Sequence, residues 1–265
     1  MITVPRYIMA SLVLMLAHAL PAFADTGLRP AMITNGSDSV AAYLHYPKKA
    51  KEKKEQAAIT FYCEIKTDGR AAHLMLYAAD DKAQFKQAVL EALRAGRFQP
   101  AMVDGKAVPV LIGGTAIFMF RGDEPTDAIA LSTADTAKLA TLTNYIQPQM
   151  LTSSADFRRK MRRSVFDNDL RPSVAVHPSA VAVADVDAQG NMTNVKITKE
   201  TGSWCGPLLA KTVKGEKFIP AMENGKSVPG QYQLIVNYEL MFRADYGSQT
   251  GSHISRDDWD DNGSF

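Results

Sequence analysis

Cysteine is scarce in this chain of 265 residues, which holds only Cys63 and Cys205. No Cys/His spacing of the zinc type occurs, and His45, His73, His177 and His253 are scattered, so no metal centre is expected. Trp204-Cys205-Gly206-Pro207 lacks the second cysteine that a disulfide oxidoreductase needs. Neither an H-E-x-x-H nor a G-x-S-x-G motif is present, so no catalytic residue is nominated and the chain is read as non-enzymatic, without a cofactor. Charge of one sign is lacking too. The formal net charge is +2, which gives no electrostatic footprint for nucleic acid. No apolar run reaches the roughly twenty residues of a membrane span.

The N-terminus has a shorter apolar run, Ile8 to Leu20, after Arg6 and before Ala22-Phe23-Ala24. That pattern reads as a signal peptide over residues 1–24, and it places the mature protein in the periplasm.

One twelve-residue phrase occurs twice. Phe98-Gln99-Pro100-Ala101-Met102-Val103-Asp104-Gly105-Lys106-Ala107-Val108-Pro109 returns at Phe218 to Pro229, with Phe, Pro, Ala, Met, Gly, Lys, Val and Pro in matching places. The turn glycines Gly69 and Gly190 keep nearly the same offset, so a whole unit is duplicated.

In the first copy, alternation from Ile59 to Lys66 predicts a strand, Asp68-Gly69 a hairpin, and Ala71 to Ala78 the returning strand. Asp81 to Gln84 resembles a capping box, and Phe85, Val89, Ala92 and Leu93 form one helical stripe that Gly96 ends. The repeated phrase follows as a loop, and Val110 to Phe120 is a third strand in which Gly113-Gly114 marks a bulge or a close approach.

The second copy repeats this order. Its first strand is Ala180 to Val186, with Val181, Val183 and Asp185 on the alternating side, and its second is Met192 to Lys199. Ser203 caps a short helix with Leu208, Leu209 and Val213 as its apolar side, and Gln231 to Phe242 is the third strand. Cys63 lies on the apolar side of its strand and Cys205 opens a helix in the other copy, so two unpaired thiols are expected.

Between the copies, Thr136 to Tyr145 and a segment capped by Ser154 read as helices. The latter carries Phe157, Met161 and Val165 on one side and Arg158, Arg159, Lys160, Arg162 and Arg163 around it. The boundaries expected are a first domain over 25–122, a basic helical linker over 123–170, a second domain over 171–244 and a disordered acidic tail over 245–265.

Tyr46-Pro47-x-x-Ala50, Asp68-Gly69, Arg97-Phe98-x-Pro100-Ala101 and Gly105-Lys106-x-Val108 together resemble the C-terminal domain of the TonB energy-transducer family. The second copy keeps Lys217-Phe218-x-Pro220-Ala221 and Gly225-Lys226-x-Val228, with Arg171-Pro172 or His177-Pro178 where Tyr-Pro would stand. The resemblance implies an α+β fold of two tandem units. Each is a three-stranded antiparallel sheet with a helix on one face. It also implies that a peptide of an outer-membrane transporter can add to the edge of the third strand. A cleaved leader and the lack of a Pro-rich spacer point to the domain without the transducing role.

Strand addition nominates Ile117, Met119, Ile235 and Tyr238, beside third strands that could equally be covered. The expected partner is an envelope protein or peptide. Arg158, Arg159, Lys160, Arg162 and Arg163 form the alternative surface, for anionic lipid or a cell-wall polymer, against the reading of a plain solvated helix face.

Overall fold

Two copies of one α+β unit, packed against each other, make up the protein in a computed structural model that describes residues 27–78, 82–133, 144–166 and 179–238. In the first unit, strands β2 (Ala57–Ile65) and β3 (Ala71–Tyr77) form a hairpin, and β6 (Val110–Arg121) pairs antiparallel with the other side of β2. Ile59, Phe61, Cys63 and Ile65 all turn to one face of β2 and are buried there. Helix α3 (Ala83–Ala95) covers that face with Phe85, Val89, Ala92 and Leu93. Asp81 lies outside the described residues; Lys82 takes the N-cap position without a side-chain cap, and Gln84 instead bonds Glu55 at 2.7 Å. Tyr46 sits edge-on to Phe85, Phe118 and Phe120 at centroid distances of 5.9, 5.5 and 5.4 Å, which explains the value of an aromatic at the Tyr-Pro position.

The second unit repeats this with β10 (Ser179–Val186), β11 (Met192–Glu200) and β15 (Gly230–Asn237), ordered β11-β10-β15. Its helix, α5 (Cys205–Val213), buries Leu208, Leu209 and Val213. The side of β10 that faces the helix is Ala180, Ala182, Ala184 and Val186. This reverses the expectation for Val181 and Val183, which are half-buried on the opposite face. Small alanines let a helix approach the sheet closely, and hydropathy alone does not register that. Ser203 does not cap α5; the Glu200 carboxylate accepts from Gly206 N at 2.8 Å in the first turn.

The repeated phrase is a hairpin in both copies rather than a loop. β4 (Ala101–Val103) pairs with β5 (Lys106–Val108), and β13 (Ala221–Glu223) with β14 (Lys226–Val228). Asp104-Gly105 and Asn224-Gly225 have positive φ at both residues, the two-residue turn that fits strand twist. Each hairpin is extended by an arm from upstream. β1 (Leu28–Arg29) adds to β4, and β8 (Tyr145–Ile146) adds to β13. Helix α1 (Val40–Tyr43) packs on α3 as α4 (Ser154–Phe166) packs on α5. The duplicated architecture therefore reaches upstream of the repeated phrase, and residues 144–166 are built into the second unit rather than forming a spacer. α4 is capped by Ser153, whose Oγ accepts from Asp156 N at 3.1 Å, one residue before the expected cap. Phe157 and Met161 are buried as expected; the side chain of Val165 lies outside the described residues.

One contact explains the constant spacing of glycine and phrase. Gly69 accepts from Phe98 N at 2.9 Å, and Gly190 from Phe218 N at 3.0 Å. Both glycines have φ near +80°, and a Cβ on either would lie 2.1 Å from the phenylalanine carbonyl oxygen. Only glycine combines that backbone with that approach. Gly69→Ala and Gly190→Ala are each expected to destabilise the protein by about 2 kcal/mol or more in chemical denaturation, well beyond the ~1 kcal/mol typical of a point change.

Candidate functional site

Peptide capture by strand addition needs a sheet edge whose backbone is unpaired, so the candidate site is decided by what lies beside each third strand. In the first unit the outer side of β6 is occupied. β7 (Glu124–Ala130) pairs with it from Thr115 to Arg121. Further back, β9 (Gln149–Met150) meets it through Leu111 and Met150. Between the two, the Gln147 side chain donates to Gly113 O at 3.1 Å. A Cβ on Gly113 would lie 2.8 Å from that same amide nitrogen, so the close approach expected of Gly113 is real.

Ile117 is thus flanked by Ala58 and Ala128, and Met119 pairs with Thr126. Neither lies on an open edge. The strand β7 falls in the segment expected as a helical linker. Glu124-Pro125-Thr126-Asp127-Ala128-Ile129-Ala130 has weak strand alternation and a proline, and the tight Gly122-Asp123 turn before it was the readable signal.

β9 continues on to pair with β12 (Phe218–Ile219), so one six-stranded sheet runs from the second unit's phrase into the first unit. Ile219 is buried in the first unit's core. Gln149 bonds Ala31 with both ends of its amide, at 2.7 and 2.8 Å, as a neighbouring strand would. Tyr62 donates to Gln233 at 3.0 Å and Tyr232 to Leu111 O at 3.2 Å. Glu64, only 7% exposed, accepts from Ser154 N at the start of α4. A buried carboxylate is placed there against the positive end of a helix.

Besides the two-residue β12, four strands end a main sheet on one side among the described residues: β3, β7, β11 and β15. Three carry features that discourage pairing. β3 has a register shift against β2, with His73 at φ 53°. β7 has Pro125 and Asp127. β11 has Lys196 and Lys199 and a shift against β10. β15, Gly-Gln-Tyr-Gln-Leu-Ile-Val-Asn, has no proline, no charge and an unbroken register with β10. Ile235 lies in it, opposite Val181 and half-buried on the open face. Tyr238 follows the strand and belongs to the core. Its hydroxyl donates to Cys205 O at 2.6 Å, and its ring lies 4.9 Å from that of Trp204. Its side chain is closed to a ligand. The expected continuation of this strand to Phe242 lies outside the described residues, as do the leader, the tail, most of the expected helix over 136–145, and Arg171, His177 and Pro178.

The cations of α4 divide. Lys160 donates to Glu216 at 2.5 Å and to Lys214 O at the end of α5, which is an internal clasp. Arg159 pairs with Asp156 at 2.9 Å. Arg159 and Arg163 are exposed, one turn apart, while Arg158 and Arg162 are half-buried. No helix among the described residues is long and apolar enough to cross a membrane.

Residues 42–121 match the family model described as Gram-negative bacterial TonB protein C-terminal. The first unit is a TonB C-terminal domain. The matched segment runs from α1 to the end of β6, and so stops just before the strand that covers the TonB domain's edge. No curated protein matches the chain.

Both cysteines are buried, and they are not bonded to each other. Burial pushes the Cys63 thiol far up and the Cys205 thiol up, so both stay protonated at neutral pH. A disulfide reagent such as DTNB is expected to label neither thiol in the native protein at pH 8 and both in denaturant. Rapid native labelling of either would contradict this burial.

Proposed function

We propose that this protein is exported to the periplasm and binds an extended segment of an envelope protein, which adds as a fourth strand to β15. The observation that carries the reading is the contrast between the two third strands. In the TonB domain the place of an added strand is filled by the chain's own β7. In the second unit the corresponding strand ends its sheet among the described residues and lacks the proline, lysine or bulge that guards the other three edges. Backbone hydrogen bonds would supply affinity. Ile235 with Val181 and Val183 behind it would favour an apolar side chain on the open face, while Gln231 and Gln233 are already held by Asp185 and Tyr62. Binding of this kind needs geometry and no bond-making chemistry.

Synthetic peptides from the periplasmic segments of outer-membrane transporters provide the test. Binding is expected to slow amide exchange at Leu234–Val236 and to leave β7 and β11 unchanged. Ile235→Pro should weaken binding at least tenfold. Thr198→Pro, on the opposite edge of the same sheet, controls for lost stability and should retain binding. Protection confined to another edge, or undiminished affinity in Ile235→Pro, would refute the proposal.

A further inference from the structure

The helical layer of the second unit concentrates positive charge. Residues 154–166 and 205–217 hold eight Lys and Arg against two acids, in a chain whose formal net charge is only +2. Both acids are engaged within the layer, Asp156 by Arg159 and Glu216 by Lys160, so neither offsets the remaining cations. The two helices pack side by side, and the Lys160 bond to Lys214 O fixes the end of α5 beside the middle of α4.

Exposure then shows where the charges point. Phe157, Met161 and Ser164 face inward, which leaves Arg159 and Arg163 on the outer crest of α4, about 6 Å apart along the axis. Lys211 is exposed on α5, as are Lys214 at its C-cap and Lys217 just beyond it. Arg158, Arg163 and Lys214 have no ion-pair partner among the described residues.

The cations diverge outward over two helices instead of converging on a pocket, so they suit a laterally extended anionic array better than a single small anion. The one large apolar side chain left exposed among the described residues is Tyr43, in the first unit. Among its described side chains the layer shows no apolar wedge, and contact with a membrane would be made by charge at headgroup level.

We infer that the α4–α5 layer is a peripheral docking surface for anionic phospholipid, separate from the β15 edge. This orients the second unit with its helices toward a bilayer and its open sheet face toward the aqueous space. The attraction comes from a screened surface potential, so it weakens as salt rises.

The test is co-sedimentation of the full chain with vesicles of phosphatidylcholine alone or with a third phosphatidylglycerol. Binding is expected only to the anionic vesicles and should fall steeply between 50 and 300 mM salt, concentrations chosen to span roughly 14 to 6 Å of screening length. Arg159→Gln with Arg163→Gln should weaken it roughly thirtyfold, at about a factor of five per cation removed. Lys49→Gln with Lys51→Gln, on the short basic helix α2 (Lys48–Glu52) of the first unit, should leave it unchanged. Equal binding to both vesicle types, or full binding by the arginine variant, would overturn the inference, as would loss caused by the lysine variant instead. Circular dichroism checks that each variant is folded. Peptide binding at β15 is measured without vesicles, so either proposal can fail alone.

Discussion

The outer flank of β6 governs the architecture. A strand with one side exposed is an invitation to any other strand, and this one is closed in three different ways along its length. A hairpin return, β7, pairs with it from Thr115 to Arg121. A glutamine side chain substitutes for backbone at Gly113. A short strand arriving from the other direction pairs at Leu111. The last of these belongs to the second unit's arm, and through it the first sheet continues to Phe218. Closing one edge and joining two repeats are thus the same event.

The join is not a lubricated interface between independent lobes. Ile219 is a second-unit residue in the first unit's core, and Leu111 packs against the second core from the first unit. Gln149 places an amide against both backbone groups of Ala31, and Glu64 holds the start of α4. Buried polar groups of this kind demand specific partners, so they select one docking arrangement among many that hydrophobic burial would tolerate. A ligand held at β15 would consequently be presented in a fixed orientation to the first unit.

Much of the fold was legible because its determinants are local. Period-two alternation marks β2 and β10, and the repeated order of elements marks β11. The stripe Phe85-Val89-Ala92-Leu93 found α3, and the turn glycines marked the duplication. The hairpin inside the repeated phrase is signalled by Asp104-Gly105 and Asn224-Gly225 yet reads as a loop, since strands of three residues give no periodicity to count. The arms were invisible for a deeper reason. Leu28-Arg29 and Tyr145-Ile146 are two-residue strands that share no composition; they are alike only in what they pair with. The candidate site was half readable. Ile235 could be placed on a third strand, but whether a third strand is covered depends on residues distant in sequence, and in the first unit the answer lay in an unassuming stretch after Gly122. Tyr238 reads as a strand position because hydropathy does not distinguish an aromatic at an edge from one folded inward against Trp204.

The Gln149–Ala31 pairing has a bearing on how such a protein evolves. A duplicated unit begins as one copy, with one arm and one hairpin. Since then the halves have become mutually indebted. Excising the later half would strip Ala31 of both its hydrogen bonds to Gln149 and empty the berth of Ile219, while excising the earlier half would leave Gln149 facing water with nothing to grip. The duplication has become a ratchet, and a descendant can specialise either copy but cannot readily return to one.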